Sequence, residues 1–289
     1  MSAKKAAVAS PTVSAEEQKQ VEKANKSANR PVVFVHGLWL LPNSWDNWVA
    51  FFEKAGFAAV TPGWPDDPET VEEAKAHPEV FAKKSIGQIA DHIEGIINGL
   101  GTKPAIVGHS FGGLLTEILA GRGLSAASVA ISPAPFRGVL PLPISALRSS
   151  SSVLSNPANR NRAVMLTYDQ FRYAFANAVG EDEAKQLYEE YSVPGAGKPI
   201  FQAAAANLNP ATEAKVDTKN PGRGPLLIVS ADQDHTVPWA IANASYKKQK
   251  SNEGITEIVK LEGRGHALTI DAGWREVADT ALAFVKRFV

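Results

Sequence analysis

The sequence predicts an α/β fold: a doubly wound, mostly parallel sheet with an inserted helical cap. Short runs rich in Val, Ile and Leu lack the polar and apolar alternation of a half-buried strand. Strands that are apolar on both faces are typical of a parallel sheet covered by helices on both sides. These runs alternate with segments of helical length and spacing, which is the order of a doubly wound sheet.

Each element of this fold follows from one run or one segment. We predict six strands, at residues 32–35, 58–61, 105–107, 128–131, 226–229 and 257–261. We predict five core helices, at residues 45–55, 85–100, 114–120, 239–248 and 274–288. A chain of 289 residues is long enough for one large domain with an insertion.

Residues 134–222 interrupt this alternation. They contain no convincing buried strand, but they include helix-like stretches at 168–179 and 182–191. Because this segment is too long for a simple loop, we predict a helical cap over the carboxyl ends of the strands. The core then consists of residues 31–133 and 223–289, and the serine run 149–152 is interpreted as a flexible hinge.

The first 30 residues are predicted to be an N-terminal tail. Their composition favours a solvated segment, with a short surface helix at 15–26 as the alternative. The apolar stretch at 6–9 is too short for a secretory signal. No window has the ~18 consecutive apolar residues of a membrane helix, so we expect a cytoplasmic protein.

The composition argues against several classes of protein. Lys plus Arg and Asp plus Glu both number 30, so there is no basic field to gather nucleic acid, and we expect no stable membrane association. The absence of cysteine excludes disulfides, thiolate metal sites and cysteine nucleophiles. We find no paired histidines at metal-ligand spacing and no phosphate-binding loop, so we expect no metal and no cofactor. The oligomeric state stays open.

One sequence motif predicts a catalytic residue. Residues 104–113 form an apolar run that ends in Gly108-His109-Ser110-Phe111-Gly112 and leads directly into a helix-like stretch. This is the pattern of a nucleophile elbow, a strand-to-helix turn so tight that residues two places either side of the serine must lack a side chain. The five letters alone are weak evidence, and the strand before and helix after them support Ser110 as a nucleophile.

A serine nucleophile needs a base, and His266 is our candidate. It lies in Gly263-Arg264-Gly265-His266, just after the last predicted strand, where open α/β sheets place their sites. For the other histidines, we interpret His36 and His109 as shaping turns and His77 and His92 as solvated, and keep His235 as the alternative base.

The third member of such a site is a carboxylate that orients the base. The loop after the strand at 226–229 contains Asp232 and Asp234. We favour Asp234 because it is nearer the turn closed by Val237 and Pro238, where it can point inward. Asp232 is the alternative.

An acyl-transfer intermediate also needs donors for its oxyanion. The elbow places the Phe111 amide at the N-terminus of a helix, where negative charge is favoured. The second donor is expected from the loop after the first strand, with the Leu38 amide as first choice and that of Trp39 as second.

Taken in order, these motifs resemble the α/β-hydrolase superfamily, particularly its capped esterase and lipase-like members. The resemblance rests on His36-Gly37, the elbow, the segment from Asp234 to Pro238 and the glycine-rich loop before His266. It covers roughly residues 31–133 and 223–289, and it also favours Asp234. The family's sheet usually begins with an antiparallel hairpin, which residues 1–30 do not resemble, so we expect a reduced sheet.

The resemblance implies a serine hydrolase. The elbow serine argues against relatives with an aspartate nucleophile, such as dehalogenases and epoxide hydrolases. We expect hydrolysis of small to medium apolar carboxylic esters through an acyl-enzyme, with Ser110, His266 and Asp234 as the triad. Perhydrolase or haloperoxidase, lactonase, amidase and carbon-carbon hydrolase activities remain alternatives, as does a non-catalytic small-ligand binding protein.

Aromatic residues predict the lining of the substrate pocket. The predicted loops at the carboxyl edge and the predicted cap carry several large rings, which favour an apolar substrate. The candidates are Trp39, Trp64, Phe136, Tyr168, Phe171 and Trp239.

Overall fold

Six of the eight strands form one parallel sheet. The computed structural model describes residues 13–289. The strands are β1 Arg30–Val35, β2 Phe57–Val60, β3 Ala105–His109, β4 Ala127–Ile131, β5 Ala163–Val164, β6 Gly195–Ala196, β7 Leu226–Ala231 and β8 Thr256–Leu261. The sheet order is β2-β1-β3-β4-β7-β8, every neighbouring pair in it is parallel, and β5 and β6 form a separate antiparallel pair.

Helices cover both faces of the sheet and fill the segment between β4 and β7. They are α1 Ala15–Lys26, α2 Asp46–Lys54, α3 Val71–Ala76, α4 Ile86–Asn98, α5 Phe111–Gly121, α6 Ile144–Leu154, α7 Tyr168–Ala174, α8 Glu181–Tyr191, α9 Gly197–Ala204, α10 Trp239–Gln249 and α11 Trp274–Val285. The six predicted strands and the five predicted core helices are confirmed, with bounds that differ by a few residues. No strand precedes β1 in residues 13–289, in keeping with the expected reduced sheet.

The sheet is buried on both faces, which explains the continuous apolar runs. In β1, Val33 and Val35 contribute to one hydrophobic cluster, with α4 and α5, while Val32 and Phe34 contribute to the other, with α2 and α11. Successive side chains of a strand point to opposite faces. A strand between two helical layers must therefore be apolar at every position.

The topology places a crevice at the carboxyl ends of β1 and β3. The chain passes from β1 to β2 on one side and then crosses to β3 on the other side of β1. Open α/β sheets bind ligands where the strand order reverses in this way. The loops after these two strands are therefore expected to contribute to a site.

Part of the predicted tail is a packed helix. α1 begins with a capping box in which the Ser14 and Glu17 side chains cap each other's backbone N–H. Glu17 and Ala24 are buried, and Glu17 lies 2.9 Å from Nε2 of His92. The solvated interpretation is thus wrong for residues 15–26 and for His92, because polar composition concealed a helix docked through a few inward-facing residues. Residues 1–12 of the predicted tail lie outside the described part of the chain.

The serine run is helical. Residues 149–152 belong to α6, and the hydroxyls of Ser150, Ser151 and Ser152 donate to carbonyls three or four residues back along the same helix. Such back-bonding satisfies the hydroxyls without breaking the helix. The interpretation of the run as a hinge is therefore wrong.

A membrane-spanning helix would need a long apolar stretch. Among residues 13–289, no helix combines the length and apolarity needed to cross a membrane.

Candidate active site

Ser110 occupies the turn between β3 and α5. Its backbone has φ 58° and ψ −118°, a strained conformation for a residue with a side chain. A Cβ added to Gly108 would collide with the carbonyl of Gly112, and one added to Gly112 would collide with the carbonyl of Val35. Glycine is therefore required on both sides of the serine.

The side chains of Ser110, His266 and Asp234 form one connected row. The distance from Ser110 Oγ to His266 Nε2 is 3.0 Å, and that from His266 Nδ1 to Asp234 Oδ2 is 2.7 Å. All three residues are buried. They come from the loops after β3, β7 and β8, which meet because the strands are parallel.

Asp234 is fixed as an anion that faces the histidine. Its Oδ1 accepts the backbone N–H groups of Thr236 at 2.8 Å and Val237 at 2.7 Å. Burial by itself would raise the pKa of Asp234, but the His266 ring and the bond from Val237 N–H hold that pKa below its ordinary value. The alternative acid, Asp232, is exposed and accepts only the backbone N–H of Arg264, at 3.3 Å.

His109 holds the loop that carries His266. Its Nε2 lies 2.8 Å from the carbonyl oxygen of His266, so the ring donates there and carries its proton on Nε2. Burial, together with the nearby His266 ring, lowers the pKa of His109 to about 3 and keeps it neutral. The Phe175 ring packs edge-on against His266 from the other side, with ring centroids 4.9 Å apart.

The loop after β1 lies against Ser110. A Cβ on Gly37 would lie 2.9 Å from the His109 carbonyl oxygen and 3.0 Å from Ser110 Cβ, so only glycine permits this approach. Trp39 has φ 65° and lines the same pocket as Ser110 and Phe111, whereas Leu38 is buried beside a smaller neighbouring cavity. The assignment of the Leu38, Trp39 and Phe111 amides as oxyanion donors stays a prediction.

A buried cluster of His36, Asp67 and Lys84 contacts this loop. Nδ1 of His36 donates to the Gly37 carbonyl at 2.9 Å, and Nε2 lies 3.1 Å from Asp67 Oδ2. Lys84 Nζ donates to the other oxygen of Asp67 at 2.7 Å. Although burial raises the pKa of Asp67, the bonds from His36 and Lys84 hold it below the ordinary value. His36 therefore shapes the turn, as its position in the sequence predicts.

Ser110 lines an apolar pocket. Its walls are mainly aliphatic, with Leu, Ile, Val and Ala side chains from the segment between β4 and β7, from the loop after β7 and from α10. The residues that the aromatic pattern missed include Leu142, Leu147, Ile200, Ala203 and Ile241. Ala203 and Ala204, at the end of α9, were the available signal, since small side chains leave room for a ligand.

Of the six predicted lining residues, only Trp39 lines this pocket. The other five are placed elsewhere: Trp64 stacks on His36, Phe136 lies in the core, Phe171 stacks on Phe175, Tyr168 donates to Glu181, and Trp239 lies beside Lys260. The reason is physical: large rings bury the most surface in the interior of a small helical segment.

His235 and His77 do not contact Ser110. His235, the alternative base, lies 3.1 Å from the Tyr173 carbonyl and packs on the Tyr173 ring. His77 is exposed near Glu79. In residues 13–289, no group of three or more His, Cys, Asp or Glu side chains is arranged to hold a metal ion.

Comparisons with known proteins agree with this architecture. A comparison with curated proteins gave no match. Among solved structures, monoacylglycerol lipase of Paleococcus ferrophilus is 20% identical, with a TM-score of 0.59 over 89% of this chain and 97% of that one. A pyrethroid hydrolase from Sphingobium faniae is 16% identical, with a TM-score of 0.61 over 90% and 100%. A putative non-heme bromoperoxidase of Mycobacterium tuberculosis is 16% identical, with a TM-score of 0.63 over 91% and 94%.

At these identities the likeness shows a common fold. The model of the alpha/beta hydrolase family matches residues 32–280, a span that includes the turn at Ser110, the loop with Asp232 and Asp234, and His266. The matched span covers the whole six-stranded sheet except its first two residues. The chain therefore belongs to the alpha/beta hydrolase family.

Proposed function

We propose that this hydrolase cleaves carboxylic esters of small to medium apolar substrates through an acyl-enzyme. The proposal depends above all on the bonded row from Ser110 through His266 to Asp234, with distances of 3.0 and 2.7 Å, beneath an aliphatic pocket. A serine, a base and a buried carboxylate in this relation activate a hydroxyl for acyl transfer.

The reaction begins when Ser110 Oγ attacks the acyl carbon and His266 Nε2 takes the hydroxyl proton. The tetrahedral oxyanion is stabilised by the Phe111 amide, at the start of α5, and by the Leu38 or Trp39 amide. His266 then gives the proton to the leaving alcohol, and Asp234 stabilises the imidazolium throughout. Water, deprotonated by His266, hydrolyses the acyl-enzyme and restores Ser110.

The lining of the pocket supports the apolar substrate. Most of the residues that line it are apolar, and polar side chains, such as Thr236 and Ser149, are few. An ester with a medium aliphatic acyl chain fits such a lining better than a charged or strongly polar one. We expect catalytic efficiency to rise with acyl length until the pocket is filled.

The test combines a fluorophosphonate probe with a chain-length series of nitrophenyl esters. We expect the probe to label the wild type, with the Ser110→Ala variant unlabelled and slower by about 10⁴ to 10⁶-fold. Ser150→Ala is the matched control, because Ser150 lines the same pocket but its hydroxyl bonds to Ala146 and Leu147 carbonyls. Folded wild-type protein that neither labels nor turns over any ester would overturn the proposal and favour a ligand-binding role.

Amide, lactone and peracid substrates, assayed beside the esters, distinguish the related reactions. The same triad serves all of them, so the ranking of kcat/KM among substrates decides. A higher kcat/KM for any of these than for the best ester would contradict the ester assignment while leaving the serine mechanism intact.

A further inference from the structure

The mouth of the pocket is surrounded by exposed aliphatic side chains. Six large hydrophobic side chains are exposed within residues 13–289. Five of them form what we call the rim: Leu140 (73% exposed), Leu142 (64%), Ile144 (85%), Leu147 (48%) and Leu208 (88%). A concentration of exposed leucine and isoleucine at one place is unfavourable in water and marks an interaction surface.

The rim is continuous with the active-site pocket. Four of its members lie in residues 140–147, and Leu208 joins them through Asn207, whose side chain bonds to Gly138 N and the Val139 carbonyl. Leu142 and Leu147 also line the pocket that contains Ser110. An apolar molecule can therefore pass from the rim to the nucleophile without leaving apolar surface.

Four of the five rim residues, all but Leu208, lie in a segment with a biased charge. The whole chain has equal numbers of acidic and basic residues, yet between Glu117 and Asp169 there is no acidic residue at all. The four arginines that follow β4 in this stretch pair with no carboxylate in the described part of the chain; they are Arg137, Arg148, Arg160 and Arg162. Arg137 and Arg148 flank the rim in the sequence. An apolar surface with cations beside it matches an anionic lipid surface.

The backbone of the rim is also suited to a poorly hydrated environment. In Leu140-Pro141-Leu142-Pro143-Ile144, the two prolines have no N–H group. A backbone donor without a partner is costly to remove from water, so two missing donors reduce that cost.

We propose that the rim docks reversibly on an anionic lipid surface, and that ester substrates enter the pocket directly from the lipid. The substrate part of this proposal rests on the proposed function. It departs from the expectation of no stable membrane association, because the neutral sum of charges conceals a basic, apolar segment. It requires no spanning helix, since the rim enters only the interfacial region.

Vesicle flotation with the full chain tests the docking. We expect the wild type to float with vesicles in which a third of the lipid is phosphatidylserine and less with phosphatidylcholine alone. The double variant Leu140→Asp, Ile144→Asp should partition at least about tenfold more weakly. Ile255→Asp is the matched control, because Ile255 is also exposed but lies at the amino end of β8, whereas the pocket lies at the carboxyl ends of the strands. Equal flotation of wild type and double variant, or none by the wild type, would overturn the proposal.

The arginines give an independent measurement. Arg137→Gln should weaken partitioning onto the anionic vesicles by about fivefold and leave binding to phosphatidylcholine unchanged. Lys54→Gln, an exposed cation on α2, is the control. Equal loss on both kinds of vesicle would contradict the electrostatic part.

Two further readouts separate this proposal from its alternatives. Neither Leu140 nor Ile144 lines the pocket, so fluorophosphonate labelling and hydrolysis of a soluble short-chain ester should be unchanged in the double variant. Vesicle binding by a wild type that does not label would refute the proposed function and leave docking standing. Light scattering on the wild type and double variant completes the test: a dimer that the double variant dissociates, with no vesicle binding, would assign the rim to self-association and overturn the lipid proposal.

Discussion

The loops that carry Ser110, Asp234 and His266 and the segment between β4 and β7 both border one pocket, but different forces hold them. Specific hydrogen bonds hold these loops, as in the bonds of Asp234 to Val237 and of His109 to His266. The pocket wall is aliphatic and ends in exposed leucines. Changing one atom of a hydrogen-bonded site removes a specific contact, whereas apolar packing tolerates small changes in side-chain volume. Substitutions around Asp234 should therefore lower activity more than substitutions in the pocket wall.

The largest effect is expected at Asp234. Replacing it by asparagine preserves the shape but removes the charge that holds the His266 tautomer, so kcat should fall by about 10⁴-fold. Asp232→Asn, two residues away and exposed, should leave kcat within about twofold. A steady-state comparison of the two variants measures this difference directly. Similar rates in both would place the acid elsewhere.

A buried carboxyl in the core gives the next effect, on stability. Burial raises the pKa of Glu117 to about 7, although Ser245 and Gln249 donate to its Oε1. The folded state therefore binds a proton more tightly than the unfolded state, whose carboxyl titrates near 4.5. The stabilisation from protonated Glu117 is complete below pH 4.5, the pKa of the unfolded state, and is lost as the pH rises through about 7, the pKa of the folded state. The free energy of unfolding should fall by about 3 kcal/mol over this range.

Urea unfolding of wild type and Glu117→Gln at about pH 5 and about pH 8 tests this linkage. We expect the wild type to lose stability toward the higher pH and the variant to lose less, because its amide does not titrate. Glu189→Gln, at an exposed position on α8, should follow the wild type. Parallel pH profiles in all three proteins would show that Glu117 is ionised at both pH values.

A smaller effect is expected in the aliphatic wall. Ala203→Phe adds a ring to the pocket and should lower kcat/KM for long-chain esters by about tenfold, with short-chain esters little changed. Ala205→Phe, exposed and outside the pocket, is the control. Measured across the ester series, a uniform decrease in the first variant would mean a distorted site rather than a shortened pocket.

The smallest effect is expected where the two regions touch. Trp39 Nε1 donates to the Val164 carbonyl at 2.9 Å and so ties the loop after β1 to the segment above it. Trp39→Phe removes this bond, worth about 1 kcal/mol, and should reduce kcat/KM by about fivefold. Trp239→Phe, outside the pocket, should have no effect. A decrease of several hundredfold in Trp39→Phe would mean that the loop itself collapses.

The same contrast explains what the sequence could predict. Strand ends in a parallel sheet meet at one edge, so Ser110 and His266 could be predicted to lie together from their positions after apolar runs. Asp234 could be predicted from its position together with the family resemblance. The pocket wall has no comparable rule. Aromatic rings predicted the lining, yet Phe171 and Trp64 are buried as packing, while Ala203 and Ile241 form the wall.

Helix α1 and the serine run show a second limit. Glu17 and His92 were predicted to be solvated because each is polar, and only the folded structure shows that their side chains contact each other. The serine run was predicted to be flexible, and serine is a poor helix former. Only the folded structure shows that the hydroxyls at 150–152 donate to backbone carbonyls of the same helix. Pairing between distant residues is a property of the folded chain, and a single sequence does not display it.

The position of α5 has a consequence for the motions of the molecule. Ten of its eleven residues, Gly112 to Gly121, are buried, so this helix has no water-facing side from which it can fray. Its amide protons should exchange with deuterium only when the whole domain unfolds, whereas those of the exposed first turn of α6 should exchange quickly. Ser110, which immediately precedes this helix, should therefore keep its position for as long as the domain stays folded.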